Sequence, residues 1–365
     1  MKRQIEIGLL YSCSGSYAAM GEACLQGALA GIAAVNADPA LDFCFAPVAR
    51  DPGGNIDRYA PLCDDILQNS GARHVVGCVT SWSRKEVIPT LEAQAATLWY
   101  TIPYEGFEAS DHVAYLHACP NQHLLPLLDH AFRSWGRRIY LAGSNYIWAW
   151  ELGRLARETV DAAGGAVLGD RYLPMGACDV GRIIEEIRAT RPDFILNSLI
   201  GPSSYAFMAA YRALGVQDAY FTPARCPVLS CNLTECELDA FGADAEGMIA
   251  AGPYFRGAAP GWPVPAGETG FASSFEASSY AAVRELARLL HGRPGAEAWP
   301  LARLLAEAGD SMIDRKTHHT ALPVRIARVE GGAFRVISDL PVVAGDPYLT
   351  HPRQRDPAPA LRVVS

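Results

Sequence analysis

The feature that most constrains this chain is a repeated alternation of short apolar runs with amphipathic stretches. Apolar runs at 5–11, 41–49, 75–79, 98–101 and 113–116 predict strands, and the spacing between them predicts helices over 23–36, 56–69 and 83–94. Leu25, Leu29, Ile32 and Val35 fall on one face of the first of these helices. The pattern then starts again. Helices are predicted over 122–135, 150–163, 180–190 and 205–214, interleaved with strands at 139–142, 167–173, 194–199, 227–230 and 248–251. Gly164-Gly165 closes the second of those helices. Strands joined through helices imply mostly parallel sheets with helices on both faces, because a parallel connection needs a crossover.

Beyond residue 252 the period changes. Residues 252–270 are rich in Gly and Pro, helices are predicted over 271–290 and 298–308, and runs at 324–329 and 334–337 flank Glu330-Gly-Gly-Ala333 as a hairpin. The tail from Asp346 has no period and is expected to wrap the surface or lie loose. The expected fold is α/β: two Rossmann-like lobes with parallel sheets, joined by several crossovers. Lobe 1 takes 1–120 plus about 252–325, and lobe 2 takes 121–251 plus about 326–365, with a ligand cleft between them. The first boundary falls near Cys119-Pro-Asn-Gln122.

Composition narrows the function. Half the residues are hydrophobic and 19% are charged, enough for a large core. A net charge of -8 argues against direct nucleic-acid binding or an anionic membrane. Lys2, Lys85 and Lys316 are the only lysines, which leaves few candidates for Schiff-base or phosphate chemistry. Glu6 interrupts the apolar N-terminal stretch, so this segment reads as a first strand and not a secretory signal. No apolar run is expected to approach the ~20 residues that span a bilayer.

The ten cysteines contain no C-x-x-C pair, and Cys226, Cys231 and Cys236 lack a nearby His to complete a zinc set. Cys24, Cys44, Cys78 and Cys119 lie in apolar segments and read as small buried hydrophobes, a usage that leans cytoplasmic. Nucleophile-elbow, zincin, P-loop and dinucleotide fingerprints are all absent, so no cofactor, metal or catalytic residue is expected. His318-His319 reads as an exposed or hinge-lining pair, and Asp64-Asp65 as a solvated helix face.

The informative residues lie just past the carboxyl ends of predicted strands, where open parallel sheets bind ligands. They include Tyr11-Ser12-Cys13-Ser14, Thr80-Ser81-Trp82-Ser83, Trp99 through Tyr104-Glu105, and Gly143 through Trp148. Ser81 or Ser83 is a credible helix N-cap beside free backbone N–H groups. Aromatic residues at strand ends of both lobes suit facing cleft walls.

Several segments resemble the type I solute-binding fold, and within it the amide sensors that negatively regulate bacterial aliphatic amidase operons. Urea and short-chain-amide receptors of importers are similar. The stretches that carry the resemblance are Asp51-Pro-Gly-Gly-Asn-Ile-Asp-Arg-Tyr59, Gly77-Cys78, Ser81 with Arg84-Lys85 and Pro89, and Tyr104-Glu-Gly-Phe-Glu108. Pro120-Asn-Gln122, Gly143-Ser144 with Tyr146-Ile147, and Pro253-Tyr-Phe255 continue it. It runs from the first strand to about residue 255 and resumes more weakly over 318–348.

The resemblance implies two lobes closing on a small ligand, held at Val79, Ser81, Tyr100, Ile102, Pro103 and Tyr146, with Trp148 nearby. Val79, Ile102 and Trp148 depart from the sensor's Tyr, Thr and Tyr, and each change removes a hydroxyl. Tyr104 and, from the second lobe, Glu235 complete the candidate set; Glu235 reads equally as a loop or hinge residue. A neutral amide needs donors for its carbonyl, acceptors for its NH2 and an apolar wall, which Ser81, Tyr100 and Tyr146 supply without charge.

The expectation is a non-catalytic receptor for a small neutral or weakly polar ligand. As a cytoplasmic amide sensor it would hold an RNA-binding antiterminator and touch no nucleic acid itself. The alternative is the periplasmic receptor of an ABC importer for urea, short-chain amides or branched-chain amino acids, with a permease as partner. Either reading leaves room for a homo-oligomer. A small-molecule enzyme on the same scaffold is the third reading.

Overall fold

Strand β1 (Arg3–Leu10) is buried from Ile7 onward, and the sheet grows outward from it. The computed structural model describes residues 2–108, 110–264 and 270–350. Helix α1 (Ala18–Ala37) carries the chain to β2 (Phe43–Arg50), and α2 (Tyr59–Gln68) carries it to β3 (His74–Gly77). After α3 (Ser81–Ala93), β4 (Thr97–Tyr100) and β5 (Val113–Tyr115) complete a five-stranded sheet of order β2-β1-β3-β4-β5. Every pairing in it is parallel.

The second sheet repeats the plan. Its units are α4 (Leu124–Ser134), β6 (Arg138–Ser144), α5 (Ile147–Ala162), β7 (Ala166–Leu173), α6 (Gly181–Thr190), β8 (Phe194–Ser198) and α7 (Pro202–Gln217). Then come β9 (Val228–Ser230), α8 (Glu235–Phe241) and β10 (Ile249–Gly252). The chain next forms α9 (Ser274–Leu290) and α10 (Leu301–Glu307) before the hairpin β11 (Leu322–Glu330) and β12 (Ala333–Val343). The resulting order is β12-β11-β10-β9-β8-β6-β7, parallel from β10 to β7, with β11 joining β10 and β12 joining β11 antiparallel. The α/β architecture read from the alternation is thus present in both sheets.

Close helix packing brings α9 back to the first sheet. A Cβ on Gly27 of α1 would sit 2.1 Å from the Glu276 carbonyl oxygen, so only glycine permits this approach. Because α9 packs on α1 and the hairpin hydrogen-bonds to β10, we assign α9 and α10 to the first lobe and β11–β12 to the second. The chain passes between the lobes near 120, between β10 and α9, and just before β11.

Several local expectations change. The helix expected over 122–135 is split, because Pro120–Gln122 forms a separate 3-10 turn. The Gln122 amide donates to the carbonyls of Thr320 (3.0 Å) and Val343 (2.9 Å), tying that crossing to the later one. The hairpin strands run longer than the apolar pattern, since β12 continues through the exposed Leu340 and Val342. Helix α1, 20 residues long, does have the length and composition to cross a membrane, with an 18-residue window of mean hydropathy 1.4, contrary to the expectation that no run comes close. Its contact with α9 makes it a core helix here.

The histidine pair is not exposed: His318 and His319 are buried, and residue 319 pairs alongside β5 at Tyr115. The His319 ring stacks on Tyr115 at 4.3 Å, and burial lowers its pKa to about 4. Residues 344–350 wrap the surface, where the Tyr348 hydroxyl donates to the Glu108 carbonyl at 3.0 Å. The remainder of the tail, 351–365, lies outside the described residues.

Candidate functional site

Three buried strands of the first sheet, β1, β3 and β4, deliver their carboxyl ends to one place. After β3 the chain adopts a left-handed turn at Cys78 (φ 66°), which places Val79 and Thr80 ahead of α3. Thr80, and neither of the serines expected, is the N-cap: its hydroxyl accepts from the Ser83 N–H at 3.2 Å. Ser83 returns the contact by accepting from the Thr80 N–H at 2.9 Å, closing a capping box. This frees Ser81 to turn elsewhere, in the first turn of a helix whose leading N–H groups have no intrahelical acceptor.

A small cavity lies where strand ends of both sheets converge. Val79, Ser81, Tyr100, Ile102 and Pro103 line it from the first sheet, and Tyr146 and Trp148 from the start of α5. Seven of the nine sequence candidates therefore share one wall set. Tyr104 does not reach it: its hydroxyl accepts from the Glu108 N–H at 2.5 Å, and its ring packs on Tyr115 at 4.4 Å. Glu235 does not line it either. One of its oxygens accepts the Arg256 N–H at 2.6 Å, and burial raises the carboxyl's pKa.

Thr80, one of the strand-end residues, also lines the cavity, and sequence reasoning missed Met20, Ile200, Asn232 and Phe275. Ile200 and Asn232 follow β8 and β9, so the strand-end rule applied to those strands points to them. Met20 and Phe275 come from helix starts brought in by tertiary packing, for which no local signal exists.

The cavity is largely apolar and carries no charge, with a few polar groups set among aliphatic and aromatic walls. Among the described residues, none of the lining side chains is ionic. The Tyr100 hydroxyl and the Trp148 indole N–H are buried without a hydrogen-bond acceptor. Arg84 lies 4.8 Å over the Tyr100 ring; a guanidinium can only donate, so the phenol hydrogen stays unused whatever their approach. Burial raises the pKa of both Tyr100 and Tyr146, which keeps them neutral donors. Across the cleft, Trp82 of α3 meets Tyr146 of α5 with ring centroids 5.6 Å apart.

Behind the cavity sits a buried ionic cluster. Ser81 Oγ donates to Glu105 Oε2 at 2.8 Å, and Arg84 Nη2 pairs with Glu105 Oε1 at 2.6 Å. Arg84 Nε and Lys85 Nζ hold Glu108 at 2.7 and 2.6 Å. Burial alone would raise the Glu108 pKa, but Arg84 and Lys85 outweigh it and bring it to about 2. Neither Arg84 nor Glu105 is more than 1% exposed, so both charges depend on each other.

A matching model describes a periplasmic binding protein domain over residues 5–261. The chain belongs to the periplasmic binding protein family. Members of this family are solute receptors, and the two-sheet plan agrees with solved structures of that kind. An ABC-transporter solute-binding protein of Rhodopseudomonas palustris HaA2, solved with p-hydroxybenzoic acid, superposes with a TM-score of 0.79 at 19% identity, covering 94% of this chain and 98% of its own. Another from R. palustris, with 4-hydroxybenzoate, gives 0.77 at 18%, with coverage of 94% and 98%. A branched-chain amino acid receptor of Streptococcus pneumoniae, with isoleucine, gives 0.74 at 17%, covering 94% and 100%. At these identities the likeness concerns the fold.

One further carboxyl in this receptor titrates in an accessible range. Glu237 in α8 is buried, accepts from the Tyr205 hydroxyl at 3.0 Å, and has its pKa raised by burial from 4.5 to about 7. A carboxyl raised in the fold favours the folded state below its unfolded value and loses that contribution as pH rises through the folded one. Between pH 4.5 and 7 the wild type should therefore lose on the order of 2 kcal/mol from this group. Glu237→Gln should flatten that slope. Urea unfolding at pH 5 and pH 8 checks it, and parallel losses in both proteins would refute the assignment.

Proposed function

We propose that this chain is the solute receptor of an ABC importer and takes a small uncharged ligand of the amide or urea type, working outside the cytoplasmic membrane with a permease partner. The observation that carries the ligand class is the uncharged cavity with two unused donors, Tyr100 Oη and Trp148 Nε1. Those donors suit a carbonyl oxygen. Ser81 and the Asn232 side chain suit an NH2 group, and Val79, Ile102 and Phe275 provide the apolar wall. The benzoates and isoleucine held by the structures named above carry a carboxylate. Here, among the described residues, no cationic side chain lines the cavity to meet one, and no carboxylate lines it to meet an ammonium.

Ligand contacts to both lobes would favour the closed form, and that closed shape is what a permease reads. The cytoplasmic-sensor reading, with an antiterminator as partner, has no counterpart among the structures named above, so the importer reading takes precedence. A thermal-shift series of acetamide, propionamide, urea, benzamide, benzoate, 4-hydroxybenzoate and isoleucine tests the ligand class. Amides or urea should raise the melting temperature, and the bound compound should be recovered unchanged. Stabilisation by the acids or isoleucine alone would sink the proposal.

A further inference from the structure

We propose that Glu105, held by Arg84, is a positioning residue that sets ligand specificity by fixing the direction of the Ser81 hydroxyl. The inference rests on the amide reading above and adds a determinant that lies outside the cavity wall.

The argument starts from hydrogen counting. A serine hydroxyl has one hydrogen and two lone pairs, and a carboxylate paired to a guanidinium can only accept. Glu105 accepts from Ser81 at 2.8 Å while its two oxygens face Arg84 at 2.6 and 3.3 Å. The single hydrogen of Ser81 is therefore committed away from the cavity that Ser81 lines. What remains toward the ligand is an oxygen lone pair. Ser81 thus accepts from a ligand N–H and repels a ligand carbonyl or carboxylate oxygen placed against it.

The surroundings hold that direction firmly. Arg84 is fully buried and is itself fixed by Glu108, which Lys85 and the Tyr115 hydroxyl (2.9 Å) also hold. Two positive and two negative side chains balance in this cluster. The same guanidinium stacks on Tyr100, whose hydroxyl hydrogen is unused. One charged group thus backs both an acceptor (Ser81) and a donor (Tyr100) at the same cavity. That pair complements the NH2 and C=O of a primary amide, and it rejects an isosteric ketone, which brings a carbonyl but no N–H.

Acetamide and acetone make the test, because they share size and shape and differ in the N–H donors. Affinities of both are measured by calorimetry for the wild type, Glu105→Gln and Glu105→Asp. The wild type should prefer acetamide roughly tenfold, the worth of about one good hydrogen bond. In Glu105→Gln the glutamine NH2 donates to Ser81 and turns its hydroxyl toward the cavity, so the preference should fall to about one. Glu105→Asp keeps the charge that Arg84 needs but draws it back from Ser81, and should lose the preference too. If only one variant folds, its ratio decides. A wild-type preference retained unchanged in the variants overturns the proposal and leaves the amide reading standing. Equal wild-type binding of both compounds overturns it as well, whereas wild-type binding of neither overturns the amide reading itself.

Discussion

Replacing Arg84 with leucine is expected to remove about 3–5 kcal/mol of folding stability, the range seen when one partner of a buried ion pair is lost. The cause is what remains behind. Glu105 is 1% exposed and Glu108 9%, so their charges cannot recover solvation when the guanidinium goes. Lys85 still reaches Glu108, at 2.6 Å, but nothing cationic replaces Arg84 at Glu105. The pH dependence separates this from a simple loss of packing. In the wild type, Glu108 has its pKa lowered from 4.5 to about 2, so its contribution is present above 4.5 and is lost as pH falls through about 2. Without Arg84, Glu108 loses the larger of the two attractions that offset its burial, so its pKa rises from about 2 and protonation relieves the variant at acid pH. Urea unfolding should show a deficit that narrows at acid pH and that partly recovers when Glu105→Gln is added. A deficit constant with pH, with no recovery in the double variant, would refute the electrostatic account.

That cluster also marks where sequence reading stopped. Alternation of apolar runs is a local property, and it carried the parallel sheets from β1 to β10 almost element by element. Strand-end logic likewise marked Ser81, Tyr100 and Tyr146, because the sheet itself fixes where strand ends meet, while Val79 came from the family resemblance. The Arg84–Glu105 link spans 21 residues and joins a helix to a loop, and no period or motif announces such a pairing. The same holds for Phe275, which reaches the cavity only because α9 returns to pack on the glycines of α1. His319 shows a related limit: a polar, unpatterned stretch left an exposed and a hinge-lining place equally open, and a lobe crossing buries it against Tyr115. Glu235, read equally as a ligand contact or a loop residue, lies after β9 with the Arg256 backbone engaging one of its oxygens.

Gly201→Val should hold the lobes apart and weaken binding of the best amide in the series by about 100-fold, close to 3 kcal/mol. Gly201 precedes α7 in the second lobe, at φ 55° and ψ −129°, and its neighbour Ile200 lines the cavity. A Cβ there would sit 1.8 Å from the carbonyl oxygen of Ser16, which lies between β1 and α1 in the first lobe. The obstacle is backbone on both sides, so no side-chain rotation relieves it and the lobes must separate. Separation removes one lobe's contacts from a ligand that needs both. The substitution also strains the backbone, so it needs a partner that carries the strain alone. Gly242 provides it, with φ 54° and ψ −135° and nothing within 4 Å of its Cβ position. Small-angle scattering with the amide present should give Gly201→Val a larger radius of gyration than Gly242→Val, whose radius and affinity should match the wild type. Equal affinities in the two variants would mean that contact between Ser16 and Gly201 is not required for the ligand-bound form.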